Sequence, residues 1–285
     1  MLRLAVQAKG RLYEESAALL REIGIKLDES KRQFLSKVPN FPLEMLYMRD
    51  DDIPQLVSDG TAGLGIVGLN EVEEKGCPVD IVRKLGFGGC RLSLAIPKAE
   101  VPGYEGPSWF EGKRIATSYP KILRKYLESN GIHADIEVIT GSVEIAPAAG
   151  IADCIFDIVS SGGTLISNGL AEVERVFESE AVLIASPSLS EEGRNILEEL
   201  LFRIESATRS RDKKYILMNL PQASVEEAVK ILPSLRSPTV MPLAAEGWCS
   251  LHSVVSESEL WDKVRQLKAL GAEGILILNV DKIIE

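Results

Sequence analysis

Twice in its first 185 residues the chain passes through the same series of short apolar strands, polar loops and helices, and this restart constrains the fold more than any other feature. In the first run, Leu2, Leu4 and Val6 share one face of an opening strand. The turn Lys9–Gly10–Arg11 follows, and Leu12, Leu19, Leu20 and Ile23 lie along a helix. The acidic run Asp50–Asp52, with Pro54 behind it, predicts a second helix, because carboxylates favour a positive helix N-terminus and proline is tolerated in a first turn. Strands are expected near 43–48, 63–67, 80–85 and 91–96. The second run starts at Gly112: strand 113–117, helix 120–129, strand 135–140, a short helix near Val143, strand 154–160 and a glycine loop. Strand-like segments near 172–177 and 180–185 come next. The expected architecture is α/β with two lobes, 1–95 and 96–185. A helix from Glu191 to about Arg209, striped by Ile196, Leu197, Leu200, Leu201 and Ile204, returns to the first lobe so that 186–211 completes it. Two connecting segments then make a hinged clamshell with a ligand cleft between the lobes.

The remainder, 212–285, reads strand 214–220, helix 224–232, strands 239–243 and 251–255, helix 257–270 and strand 274–280. The order βαββαβ is the ferredoxin-like split motif, a third and smaller domain.

Charge and residue usage remove several function classes. Forty-two acids against 32 bases leave a net charge of -10, which repels phosphate backbones and argues against nucleic-acid binding. Any phosphorylated ligand must be held locally. Cys77, Cys90, Cys154 and Cys249 show no CxxC spacing, so neither a zinc site nor a disulfide framework is indicated. With only His133 and His252, a His-dependent triad or multi-His metal centre is not expected. No signal peptide or run of about 20 apolar residues appears, and a cytoplasmic, membrane-free protein is expected.

Residues 63–68, GLGIVG, satisfy GxGxxG literally. Here, however, Leu64, Ile66 and Val67 look like the strand itself, so close packing explains the glycines better than a dinucleotide site does. A stronger signal is the apolar strand from Cys154 carrying one acid, Asp157, and running into the loop Ser160, Ser161, Gly162, Gly163, Thr164 before a helix start. Backbone N–H groups and hydroxyls in such a loop suit a phosphate, and the strand carboxylate suits ribose hydroxyls or, through water, Mg²⁺. An ordinary strand-to-helix turn remains the alternative for the loop alone.

The stretch 144–165, EIAPAAGIADCIFDIVSSGGTL, resembles the signature of the ATP phosphoribosyltransferases. Gln7–Leu12 (QAKGRL), Arg49–Pro54 (RDDDIP), Phe87–Leu92 (FGGCRL) and Ala116–Pro120 (ATSYP) agree, in one order along the whole chain, and the C-terminal domain matches the long, self-regulated form. The resemblance implies two lobes like periplasmic binding proteins. It implies transfer of 5-phosphoribosyl from phosphoribosyl pyrophosphate to N1 of ATP with Mg²⁺, the first step of histidine biosynthesis. By the same resemblance Asp157 to Thr164 holds the donor's 5-phosphate and ribose, Lys9, Arg11 and Arg49 face triphosphate or pyrophosphate, and Tyr119 and Glu144 line the cleft. Histidine is the implied inhibitor, with Asn219, Leu235, Ser237, Thr239 and Gly274 near the effector pocket of a homo-oligomer, dimer to hexamer.

Each residue also has a plain reading. Arg49 can be a solvated loop cation, one of the three aspartates a helix cap, Glu144 a capping acid, Tyr119 a packing residue and Cys154 a small core residue. Two other functions fit parts of the pattern: a solute-binding protein, opposed by the acid-bearing phosphate loop, and a catalytically silent sensor, opposed by the same loop.

Overall fold

The structure, a computed structural model, describes residues 1–28, 34–232 and 235–284. Its elements run β1 (Leu2–Gln7), α1 (Arg11–Glu22), β2 (Leu35–Lys37), β3 (Leu43–Met48), α2 (Ile53–Ser58), β4 (Leu64–Gly68), α3 (Leu69–Lys75) and β5 (Asp80–Lys84). There follow β6 (Cys90–Pro97), β7 (Arg114–Thr117), α4 (Pro120–Asn130), β8 (Asp135–Val138), β9 (Cys154–Val159), α5 (Gly163–Ser167), β10 (Leu170–Ser179), β11 (Ala181–Ala185) and α6 (Glu191–Ser210). The last are β12 (Lys213–Pro221), α7 (Val225–Ile231), β13 (Thr239–Pro242), β14 (Trp248–Ser256), α8 (Leu260–Ala269) and β15 (Glu273–Asn279). Two compact units emerge, Met1–Ile196 and Leu197–Glu285.

The first unit holds two sheets. One is ordered β2-β3-β1-β4-β11-β5 and the other β10-β6-β9-β7-β8, the two-lobed α/β arrangement expected. In the first sheet β3, β1 and β4 run parallel, and α2 lays Ile53 and Val57 against Ala5, Val67, Val182 and Ile184. Gly65 is required by that closeness: a Cβ there would sit 2.7 Å from Ile53 Cγ2 and 3.0 Å from Val57 Cγ2. The glycines at 63, 65 and 68 therefore serve packing around a strand, as their context suggested. Gly65→Ala is expected to cost about 1–3 kcal/mol by overpacking, read as a lower urea midpoint with unchanged slope.

Alternation along β6 decides the second sheet. Leu92, Leu94 and Ile96 face a core with Phe110, Ile115, Phe156 and the α4 residues Ile122, Leu123 and Leu127. Ala95, on the other face, packs with Ile155, Val159 and Leu165.

The expected lobe boundaries need correction. β6 was assigned to the first lobe but pairs with β9 and β10, and β11 was assigned to the second lobe but pairs with β4 and β5. The chain crosses between lobes at 85–89 and again at Glu180, and the two crossings are tied by Leu85 N–H to Ala181 O and Ala181 N–H to Phe87 O, both 2.9 Å. Gly86 and Gly88, with φ of 73° and 65°, make the first crossing possible. The return to the first lobe is thus made by a strand, whereas the long helix was expected to make it. The division between units falls inside α6 at 196/197, earlier than the expected 211/212.

In the second unit the sheet is ordered β13-β14-β12-β15, antiparallel throughout, with α7 and α8 covering the face of Ile216, Met218, Leu220 and Leu251. Strands joined by a helix are separated by one inserted strand, which is the split βαββαβ topology.

Candidate active site

Parallel strands place their C-terminal ends at one edge of each sheet, where α/β proteins carry their ligands. In the first lobe the loops after β1 and β3 meet there, joined by Ala8 N–H to Met48 O at 2.8 Å. Lys9 is exposed and pairs with nothing among the described residues. Arg11 is also exposed, with Nε 3.2 Å from Glu15 Oε1. Of the aspartates, Asp50 accepts from Gln7 Nε2 at 3.3 Å and from the Asp51 amide at 3.1 Å, which fastens the two strand ends together. Asp51 orients the exposed Arg49 through Nε–Oδ1 at 3.1 Å and also meets Lys75 Nζ at 3.6 Å. Asp52 occupies the N-cap position of α2 but makes no side-chain capping bond. The edge therefore offers three exposed basic side chains, Lys9 unpaired among the described residues, Arg11 beside Glu15 and Arg49 held by Asp51.

The second lobe presents the ends of β7, β8 and β9, which carry Tyr119, Glu144 and the Asp157 loop. Asp157 lies opposite Ser93 on β6 and accepts the Ile158 amide at 2.8 Å. Burial pushes its carboxyl up to about 6, partly opposed by the Ile158 hydrogen bond and reinforced by the charge of Glu144. No cation pairs with it among the described residues. Beyond it Ser160, Ser161, Gly163 and Thr164 are exposed and Gly162 takes φ +80°. Among the described residues, no acceptor takes the amide hydrogens of Ser161 to Leu165. These are the unsatisfied donors of a helix start, free for an anion. Cys154 is fully buried, its thiol pushed up to about 12 by burial, and belongs to the core.

The two edges face each other, because hydrogen bonds cross between them. The Tyr119 hydroxyl donates to Glu71 Oε1 at 2.9 Å, and Asn70 Nδ2 donates to the same oxygen at 2.9 Å. Asn70 Oδ1 accepts from Ser179 Oγ at 2.7 Å, and its own amide donates back to Ser179 Oγ at 3.0 Å. Burial raises Glu71 to about 7, against the Tyr119 hydrogen bond and with help from Asp50 and Asp51. Burial also raises the Tyr119 phenol, followed by the charge of Glu71. One helical turn on, Glu74 accepts the Lys121 amide with both oxygens, at 3.0 and 3.1 Å, and the Ile122 amide at 3.1 Å. Tyr119 is 9% exposed and already bonded across the lobes, so it shapes the cleft wall more than it offers a free hydroxyl. Sequence reasoning passed over Asn70, Glu71, Glu74 and Ser179. The available signal was Glu71 and Glu74 at i,i+3 spacing directly after an apolar strand, where acids share one helix face.

In the second unit, Asn219 and Gly274 are neighbours: a Cβ on Gly274, where φ is +58°, would lie 3.5 Å from Asn219 Nδ2. Thr239, on the edge strand β13, pairs with His252 of β14 and is preceded by exposed Leu235 and Ser237. β13 and β15 are three strand spacings apart, roughly 14 Å. Within one chain Asn219 and Gly274 form one group, and Leu235, Ser237 and Thr239 another, at or before the edge strand β13. His133 is exposed beside Glu111, and His252 lies between Tyr215 and Ser250 at 2.7 and 3.0 Å.

Among the described residues no group of three or more His, Cys, Asp or Glu side chains is arranged to hold a metal, and no helix is long and apolar enough to cross a membrane. What fold and loops define is a two-lobed α/β protein with a loop of unused amides and an acid on one lobe and basic loops on the other. The family model of ATP phosphoribosyltransferase matches residues 49–206, and the model described as HisG, C-terminal domain, matches 210–282. ATP phosphoribosyltransferases of Phocaeicola vulgatus and Bacteroides thetaiotaomicron are 58% and 57% identical to the chain over 284 and 285 residues, covering 100% of both sequences in each case. The ATP phosphoribosyl transferase (HisG:HisZ) complex from Thermotoga maritima contains a chain that is 31% identical with a TM-score of 0.60, covering 72% of this chain and 99% of that one. The chain belongs to the ATP phosphoribosyltransferase family, and it is a pentosyltransferase.

Proposed function

We propose that the protein transfers 5-phosphoribosyl from phosphoribosyl pyrophosphate to N1 of ATP, as the cytoplasmic first step of histidine biosynthesis. The observation that carries this reading is a half-buried Asp157 carboxylate with no cation beside it among the described residues, next to a loop whose amide hydrogens are unused. Those amides suit the donor's 5-phosphate, and Asp157 suits its ribose hydroxyls. Adenine N1 forms the new bond to the anomeric carbon while the bond from that carbon to pyrophosphate breaks, its electron pair leaving with pyrophosphate. N1 has a free lone pair at neutral pH, so orientation matters more than a strong base. As the ribose becomes cation-like, the Asp157 charge stabilises it, and Lys9, Arg11 and Arg49 stabilise the departing pyrophosphate.

Mg²⁺ would arrive on the donor's phosphates, with Asp157 and Glu144 as nearby carboxylates. Bound there, Mg²⁺ neutralises phosphate charge. The decisive assay measures pyrophosphate release and phosphoribosyl-ATP with both substrates and Mg²⁺. No turnover by folded protein at any concentration sinks the reading.

Feedback inhibition by histidine and a homo-oligomer, dimer to hexamer, belong to the same proposal. The two separated groups at Asn219/Gly274 and Leu235/Ser237/Thr239 give it a test. Asn219→Ala and Thr239→Ala are each expected to weaken histidine inhibition at least about ten-fold, the worth of one buried hydrogen bond at the upper end of its range. Inhibition unchanged in both places the effector elsewhere.

A further inference from the structure

One arginine stands beside the loop without being available to a ligand. β6 runs antiparallel to β9, so Arg91 lies opposite Val159, the last strand residue before the loop. Its Nε and Nη2 each approach one oxygen of Glu172 at 2.5 Å, a bidentate grip, and its Nη1 donates to the Ser160 carbonyl at 3.2 Å. Glu172 is fixed in turn by Ser93 Oγ at 2.9 Å and Arg175 Nε at 3.3 Å. Ser93 is the residue opposite Asp157, so one polar cluster underlies both the strand acid and the loop. The side chains of Arg91 and Glu172 are 19% and 21% exposed. With its charge answered by Glu172, Arg91 has little left to offer a phosphate directly.

We propose that Arg91, held by Glu172, is a positioning residue that sets the direction of the loop amides which receive the donor's phosphate. In a trans peptide the carbonyl and the following N–H point in opposite directions. Fixing the Ser160 carbonyl on Arg91 therefore aims the Ser161 N–H away from it, towards the open side of the loop. Released, the same peptide can turn its carbonyl outward and present an oxygen lone pair where an anion must sit. The guanidinium is suited to this because its fork grips a carboxylate while a further N–H remains for the carbonyl, which an ammonium cannot reproduce in the same geometry. Glu172 is held down to about 2, chiefly by the Arg91 hydrogen bonds, so the grip persists across the working pH range.

The assignment rests on the phosphoribosyl-transfer reading. In the full chain, Arg91→Lys is expected to raise KM for phosphoribosyl pyrophosphate by about ten-fold, the effect of one misdirected amide–phosphate bond. KM for ATP should stay within about two-fold, because the loop does not serve it. Affinity for ribose 5-phosphate, measured by calorimetry, should fall by the same factor as the donor's. Glu172→Gln, which keeps the shape of the grip but weakens it, should give a smaller shift in the same direction and carries the test if Arg91→Lys does not fold. A lower melting temperature with both KM values unchanged, or an equal rise in both, overturns the assignment while leaving the reaction standing. A wild-type chain that neither turns over nor binds ribose 5-phosphate overturns the reaction, and this role with it.

Discussion

Asp157→Asn is expected to remove most turnover and yet make the protein more stable at pH 8. Asparagine keeps an oxygen for the Ile158 amide but cannot carry the charge that faces the developing ribosyl cation, so kcat should fall about 10²–10³-fold. Stability moves the other way because the carboxyl is raised from 3.8 to about 6, chiefly by burial. A raised acid binds its proton more tightly in the folded state than in the unfolded one. Its contribution is therefore fully present below the unfolded value and is lost as pH rises through about 6. The variant never acquires the buried charge, so its advantage grows between about pH 4 and 6 and then levels at roughly 1–3 kcal/mol. Thermal melts of both proteins at pH 5 and 8, beside initial rates, check the two signs. A variant less stable than wild type at pH 8 contradicts the account. Glu71, raised to about 7, adds a loss of the same sign in wild type over a slightly higher range.

The second large effect belongs to Glu74. Helix α4 opens at Pro120, and its N-cap position is held by Tyr119, which supplies no side-chain cap. The first amides of a helix need acceptors, and here the carboxylate of a helix from the other lobe provides them for Lys121 and Ile122. Its charge also suits the positive helix end. Glu74→Ala strands two amides in a mostly buried setting and is expected to cost about 2–4 kcal/mol. Glu74→Gln, which retains one oxygen, should cost about half of that. Urea unfolding of the three proteins decides it. Equal midpoints for Ala and wild type mean that water replaces the cap and the lobes are not joined there.

These two residues also illustrate what the chain makes legible. Asp157 stands out in the sequence because a lone acid in an apolar strand before a glycine loop has few structural explanations. Glu74 does not, since its partners are backbone amides 47 and 48 positions away and nothing in its own neighbourhood records them. The same holds for the strands. Alternation identifies β6 as a strand and a short apolar run identifies β11, but neither pattern says which sheet a strand joins, and each pairs in the lobe other than the one expected. Arg49 shows an intermediate case: a neighbouring acid is visible two residues on, and Asp51 does orient it. Asn219 and Thr239 are grouped by the resemblance, yet the split order of that sheet puts Thr239 on the edge strand β13 and Asn219 on the inner strand β12, with β14 between them.

The helix that spans the division between units bears on how such a chain can be shortened through evolution. Leu200, Ile204 and Ala207 are almost wholly buried, the Ser206 carbonyl accepts the Ile283 amide at 3.0 Å, and Ser210 Oγ donates to the Asp281 carbonyl at 2.7 Å. A lineage that lost the last seventy or so residues in one step would inherit a helix whose final turn is stripped of its Ile283 and Asp281 partners. Gene truncation at the linker is therefore not a neutral event for this sequence. Descent from a long chain to a short one requires new partners for that turn first, or a helix that ends before it.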